Sequence, residues 1–294
     1  MPIPRLVDLS LVPNPKVQPG GERAAQGRLL AFLRGPGPRY AKQRDRLDLA
    51  GTSRLSADLK FGTLSIRQVF SAIRKALGGT ESGRAFENEL LWREFAHSIL
   101  WDRPDVLHQP FRAEFADFPW RTDEAGWQAW VEGATGYPVV DAAARQLLAE
   151  GFVHNRARMI SASFLAKHLM IDYKRGEVHY LEWLTDGDWA QNNMGWQWCA
   201  GCGCDAQPYF RVMNPVAQGR CFDPEGSYVR QYPPKLARLP ARFIHSPWEA
   251  PEDVLQRAGV RLGRDCPRPI VEHSEARRRY LATARAHLAK RRRR

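Results

Sequence analysis

The stretch NMGWQWCAGCGCDAQPYF, residues 193–210, admits three readings, and each implies a different fold. The spacing Cys199-x2-Cys202-x-Cys204 resembles half of a zinc or iron–sulfur site, with Cys221 as a fourth ligand. The run GCGCDA matches G-x-G-x-x-A, the glycine turn of a dinucleotide-binding α/β domain. The third reading makes Trp196 and Trp198 the functional pair, with the cysteines as small, reduced, partly buried residues beside them. A metal site lacks its second C-x2-C and a nearby histidine pair, and Cys266 stands alone, so no metal is expected. A dinucleotide turn lacks the hydrophobic strand that must run into it. The aromatic site is left.

Working outward, helix follows helix from about Glu22. LSIRQVFSAIRKAL (64–77) opens with Ser65 and Gln68 at capping-box spacing, and its apolar Ile66, Val69, Phe70, Ile73 and Leu77 follow the helical period. The runs ENELLWREFAHSIL (87–100), VVDAAARQLLAEGF (139–152), NRARMISASFLAKHLMIDY (155–173) and GEVHYLEWL (176–184) read the same way. Strand-like alternation is nearly absent and no internal repeat is visible, so the expected fold is all-α. Long loops are expected around 103–126 and 200–250, where loops of such length usually serve function. Residues 1–21 read as an extended arm, 22–288 as one helical domain and 289–294 as a basic tail.

Composition narrows the partners. The 294 residues carry 44 Lys+Arg against 32 Asp+Glu, a net charge of +12, mostly as arginine, whose planar fork suits phosphate oxygens. A polyanion partner is favoured over a merely well-solvated basic surface. No apolar run is long enough to span a bilayer, and the first residues lack a secretory pattern, so no membrane association is expected and the assigned compartment is the cytoplasm.

Three clusters surround the tryptophan pair. DGDWAQNN (186–193) brings Asp186, Asp188 and Asn192 together, with Asp188 and Asn192 expected on one helix face. NELLWREF (88–95) puts Glu89, Trp92 and Arg93 on a common face. VHNRARM (153–159) sets Asn155 and Met159 one turn apart, with Arg156 and Arg158 beside them. Singly, each cluster is more often core or solvated surface than site. Together they supply stacking planes, a carboxylate, an amide and phosphate-binding arginines, the inventory for holding an extruded base.

These segments resemble the flavin-binding helical domain of the photolyase/cryptochrome family, specifically class I cyclobutane pyrimidine dimer photolyases. The resemblance rests on GTSRLSADLKFG (51–62), NELLWREF (88–95), TGYPVVDAAARQLLAEGFVHNRARMISASFLAKHLMID (135–172), DGDWAQNNMGWQWCAGCGCDAQPYFRVMNPVAQGRCFDP (186–224) and PIVEHSEARRRYL (269–281). It implies two helical lobes around FAD. Tyr40, Thr52, Ser53, Leu55 and Ser56 would hold its phosphates and sugar. Phe86 (a tryptophan in the family), Arg93, Asn155, Arg158, Asp186, Asp188 and Asn192 would line the flavin and adenine, with Asn192 toward N5. That placement is consistent with FADH⁻ as the working state.

On the substrate side, the resemblance implies UV-damaged DNA as partner and a light-driven, redox-neutral lyase. Trp92 and Trp198 would sandwich a flipped-out dimer, Glu89 and Asn155 would hydrogen-bond it, and Met159 would pack against it. Arg44, Arg93, Arg156 and Arg211 would grip flanking phosphates, and a protonated Glu89 would stabilise the dimer radical anion. Relatives that repair (6-4) lesions carry histidine where this chain has Met159. DASH cryptochromes tend to replace the pocket tryptophans, and plant cryptochromes carry an acid at Asn192.

Two departures from the family follow. The N-terminal antenna domain is missing from the sequence, so no antenna chromophore is expected, and the surface it covers would be open to a protein partner of an otherwise monomeric, nucleoid-associated protein. The three-tryptophan electron route would run Trp196, Tyr173, Trp130, with tyrosine in the middle. Weak photoreduction is expected, or a detour through Trp183 or Trp189, which otherwise read as core. Two alternatives stay open: a cryptochrome-like blue-light sensor without repair activity, and a flavin-free module that only recognises damaged DNA.

Overall fold

A computed structural model describes residues 6–10, 12–206 and 208–292. Among them there is no strand, only an isolated parallel bridge between Leu262 and Cys266, so the chain is all-α. The first lobe contains α1 (Glu22–Arg34), the short α2 (Tyr40–Gln43) and α3 (Ser56–Phe61), then α4 (Ile66–Leu77) and the long α5 (Glu81–Asp102). The second lobe contains α6 (Glu124–Glu132), α7 (Pro138–Glu150), α8 (Asn155–Ser163), α9 (Tyr173–Trp183) and α10 (Trp189–Ala200). Short helices α11 (Pro215–Phe222), α12 (Ser227–Gln231), α13 (Ala241–Ile244) and α14 (Glu252–Ala258) precede α15 (His273–Arg292).

Local chemistry explains the helix starts. Ser65 Oγ accepts from the Gln68 amide at 3.2 Å while Gln68 Oε1 accepts from the Ser65 amide at 2.8 Å, closing the capping box before α4. The box aims Val69, Ile73 and Leu77 into a core with Leu29, Phe32, Phe86 and Leu90. Ahead of α7, the buried Asp141 carboxylate accepts from the amides of Thr135 (2.8 Å) and Gly136 (3.1 Å) and from the Thr135 hydroxyl (2.6 Å). That turn feeds Pro138 into the first helical position, where its missing N–H costs nothing. The second core gathers Trp130, Val140, Leu147, Ile160, Phe164, Tyr180, Trp196 and Tyr280. At Gly176 a Cβ would collide with the indole of Trp196, so α9 lies against that ring only because the position has no side chain.

Three sequence expectations change. The run 155–173 is not one helix: α8 stops at Ser163, a π-helical turn spans Phe164–Leu169, and Met170 is left-handed at φ 57°. The expected long loops contain 3₁₀ turns at Pro104–Leu107 and Ala113–Phe115, the start of α6, and α11 to α13. The basic run at 290–294 continues α15 through Arg292, because Arg291 donates to Asp117 Oδ2 (2.6 Å) and the Ala116 carbonyl (2.8 Å). Residues 1–5, 11 and 293–294 of the expected arm and tail lie outside the described residues. In the opening stretch, α10 ends at Ala200 and Gly201 turns left-handed at φ 90°. No strand enters the glycines. Cys199 and Cys202 are buried, which pushes both thiols up to about 12, while Cys204 and Cys221 are exposed.

Candidate functional site

A cleft of about 320 Å³ opens between the two cores. One wall comes from the first lobe: Tyr40, the segment Thr52–Ser56, and Phe86, Glu89 and Arg93 of α5. The other comes from the second: Asn155, Arg158 and Met159 of α8, Tyr180 of α9, the Asp186–Asp188 turn, and Asn192 and Trp196 of α10. Every residue expected at a cofactor (Tyr40, Thr52, Ser53, Leu55, Ser56, Phe86, Arg93, Asn155, Arg158, Asp186, Asp188, Asn192) lies on this one surface.

Polar groups in the cleft are held by partners. Arg158 Nη2 donates to both Asp186 oxygens, at 2.8 and 3.0 Å, and its Nε donates to the Val153 carbonyl at 2.7 Å. Asp188 is the N-cap of α10, accepting from the Gln191 amide at 3.0 Å, rather than a helical residue sharing a face with Asn192. Its other partners are His97 Nε2 at 3.2 Å and Arg93 Nη2 at 3.6 Å. Arg93 therefore belongs to the cleft wall. Asn192 Nδ2 donates to the Glu177 carbonyl at 2.8 Å, which leaves its carbonyl oxygen as the group it can offer the cleft. Burial raises the Tyr40 hydroxyl pKa above the usual phenol range and keeps it a donor; the ring packs on Phe86 at 5.1 Å.

Sequence reading missed Arg54, Phe152 and His154. Arg54 is left-handed at φ 53°, lies 4.3 Å over the Phe152 ring and pairs with Glu150 at 2.9 Å. A lone arginine between Ser53 and Leu55 gives no signal of that conformation in sequence. His154 lines the cleft and caps α8, its Nδ1 accepting from the Arg156 amide at 3.2 Å, while its buried Nε2 has no protein partner.

The substrate-side residues are only partly brought together. Trp92 is 45% exposed on α5, and Trp198 is half-buried on the second core; neither tryptophan lines the cleft. Glu89 was expected to offer a proton, yet it accepts from Arg44 Nη1 at 2.7 Å. Arg156 is equally engaged, with Asp45 at 2.8 Å and over the Phe222 ring at 4.4 Å. Arg211 is exposed and Asn155 Nδ2 lies 3.7 Å from Met159 Sδ.

The expected order Trp196, Tyr173, Trp130 is not the order in space. Trp130 sits 6.0 Å from Trp196, centroid to centroid, and is 1% exposed because its Nε1 donates into the core to the Ser161 carbonyl at 3.2 Å. It cannot be the surface end of a route through Tyr173. Behind it, Trp127 stacks at 5.4 Å, whereas the ring next to Tyr173 is Trp120 at 6.1 Å. Trp183 and Trp189, read as core, are 49% and 59% exposed.

Burial, partly offset by the charge of Asp45, lowers His154 from the ordinary 6.5 to about 4, and burial next to His273 lowers His168 to about 3. Each of these two histidines then binds fewer protons in the folded chain than in the unfolded chain below about pH 6.5. These groups therefore leave stability intact above 6.5 and remove it as pH falls toward 4. Glu177, raised to about 7 by burial, titrates in the opposite sense. The histidine contribution is thus read as a difference. His154→Asn, which keeps an N-cap, is expected to lose less Tm between pH 7.5 and 5 than the wild type; equal losses would exclude His154 as the cause.

A family model described as the FAD binding domain of DNA photolyase matches residues 86–286. Deoxyribodipyrimidine photo-lyases from Escherichia coli and Agrobacterium fabrum are 47% and 44% identical over 90% and 89% of this chain. Those alignments cover 56% and 55% of the relatives, so the chain spans about half their length. A bacterial class III photolyase from Agrobacterium tumefaciens superposes with a TM-score of 0.92 at 41% identity, covering 98% of this chain and 61% of that one. A Synechocystis cryptochrome gives 0.85 at 30%, covering 95% and 60%. An all-helical, two-lobed domain with a flavin-type cleft is the class that fold and site define. The chain belongs to the family of FAD-binding domains of DNA photolyases.

Proposed function

We propose that this chain forms the flavin and substrate site of a light-dependent lyase that splits cyclobutane pyrimidine dimers in UV-damaged DNA. The observation that carries the proposal is the cleft, because residues from both lobes that the resemblance assigns to FAD converge on it. The donor set suits the cofactor: aromatic and aliphatic walls for a fused ring and hydroxyls at 52–56 for phosphates. The chemistry that FAD supplies when bound, as FADH⁻, is a light-driven electron loan to the cyclobutane ring.

The chain's own residues position and polarise. Thr52, Ser53 and Ser56 hold phosphate oxygens through hydroxyl and N–H groups. The Arg158–Asp186 pair fixes one edge of the ring system, and Asn192 offers it a hydrogen-bond acceptor. Outside the cleft, Trp92 and Trp198 supply stacking planes, while Asn155 and Met159 of the cleft wall meet the lesion's edge. Arg44 and Glu89 exchange partners on binding: a phosphate takes the guanidinium, and the released carboxyl turns to the dimer. Arg156 leaves Asp45 in the same way.

Two experiments follow. Purified protein should be yellow and, with its flavin chemically reduced, should restore thymine absorbance to a dimer-containing oligonucleotide under blue light and not in the dark. Flavin bound, lesion DNA held and no light-dependent recovery would favour a sensory flavoprotein instead. That second reading draws on Tyr173, whose buried hydroxyl is held well above the usual phenol range and so makes a poor hole carrier. Separately, Asp45→Asn should free Arg156 and tighten binding to undamaged DNA about two- to fivefold, the scale of 0.5–1 kcal/mol for a partly exposed pair. Unchanged affinity and salt dependence would show that Arg156 does not reach phosphate.

A further inference from the structure

Lys167 has no exposed surface, although its side chain ends in an ammonium. It lies in the π-helical turn Phe164–Leu169, a rare backbone form that tends to mark functional positions. Among the described residues no carboxylate pairs with it. Its Nζ donates to the main-chain carbonyl of Arg211 at 2.9 Å and stands 5.7 Å from the Tyr280 ring centroid. A buried charge answered by one carbonyl is a costly way to stabilise a core, and an apolar residue of the same length would fill that space at less expense.

The acceptor explains the arrangement. Arg211 lies in the irregular segment between Gly201 and the start of α11, where Phe210 and Arg211 are exposed while Tyr209 and Val212 pack on the core. The start of the segment is tied to other elements, Cys202 and Gly203 through the Gln197 carbonyl and Cys202 O through the Arg112 amide, whereas Arg211 N bonds the nearby Pro208 carbonyl at 2.9 Å. Lys167 reaches it from another element, 44 residues earlier in the chain.

We propose that Lys167 is a positioning residue for DNA binding: from beneath the loop it fixes the backbone of Arg211 so that the exposed guanidinium meets a phosphate. This rests on the proposed function, since it gives Arg211 a phosphate to meet. The extra residue in the π turn places Lys167 where an unbroken α8 would not.

The test is a double-mutant cycle on the full chain, reading dissociation constants for a dimer-containing duplex in the dark over a range of salt. Lys167→Met and Arg211→Ala are each expected to weaken binding about tenfold and to lower the salt slope by about one phosphate contact. The double variant should bind no worse than either single one, because residues acting as one unit are not additive. Flavin absorbance should be unchanged in all three. Lys167→Gln, which keeps a donor without the charge, should retain most of the affinity; it also serves if the methionine variant does not fold. Wild-type-like binding by Lys167→Met, additive losses, or a glutamine variant as weak as the methionine one would each overturn the proposal. If wild-type protein is yellow yet holds no lesion DNA, the functional reading fails along with it; an additive cycle in a wild type that binds removes only Lys167.

Discussion

Asp186→Ala is expected to give colourless protein with a markedly lower Tm. The Asp186 side chain is 4% exposed and takes both hydrogen bonds from Arg158 Nη2. Removing it leaves a half-buried guanidinium held by the Val153 carbonyl and the face of the Phe152 ring, with no carboxylate opposite its charge. Breaking such a pair from one side costs about 3–5 kcal/mol. That is a large part of the roughly 5–15 kcal/mol that holds a domain together. The loss falls on the cleft wall, so flavin retention should fail before the fold does. The ratio of flavin to protein absorbance and a thermal melt measure the two effects separately. Asp186→Asn, which keeps an acceptor, should lose less of each. A yellow alanine variant of unchanged Tm would show that the pair holds neither cofactor nor fold.

Trp198→Ala should leave the flavin in place and cost lesion binding instead. Trp198 does not line the cleft; it stands half-buried on the second core. One stacking plane against a base is worth about 1–3 kcal/mol, roughly a 5- to 150-fold loss of affinity. Trp198→Phe should recover most of it, since a π-face remains. Binding of a dimer-containing oligonucleotide in the dark, compared with flavin content, separates this from a general loss of structure. A variant that loses flavin while still binding lesion DNA would move Trp198 from the substrate to the cofactor.

Residues within a turn or two of each other determine what the sequence says by itself. The Ser65–Gln68 capping box and the spacing from Ile66 to Leu77 specify α4 without outside help. The absence of a strand before Gly201 excludes a dinucleotide turn for an equally local reason. The motifs around Glu89, Asn155 and Asp186 named the residues that line the cleft, because their spacing matches a family in which those positions already have roles.

Only tertiary structure decided the partners and the order. Asp45 meets Arg156 across 111 residues, and Arg44 meets Glu89 across a separate helix, so arginines that read as free phosphate ligands arrive already paired. Trp130 lies against Trp196, not beyond Tyr173, because α6 turns its indole into the core. The π turn that buries Lys167 has no signature in residue spacing, since the run through it keeps an acceptable helical pattern. Periodicity records which side of a helix avoids water. Which group that side then meets depends on how the helices pack, and no local pattern encodes that.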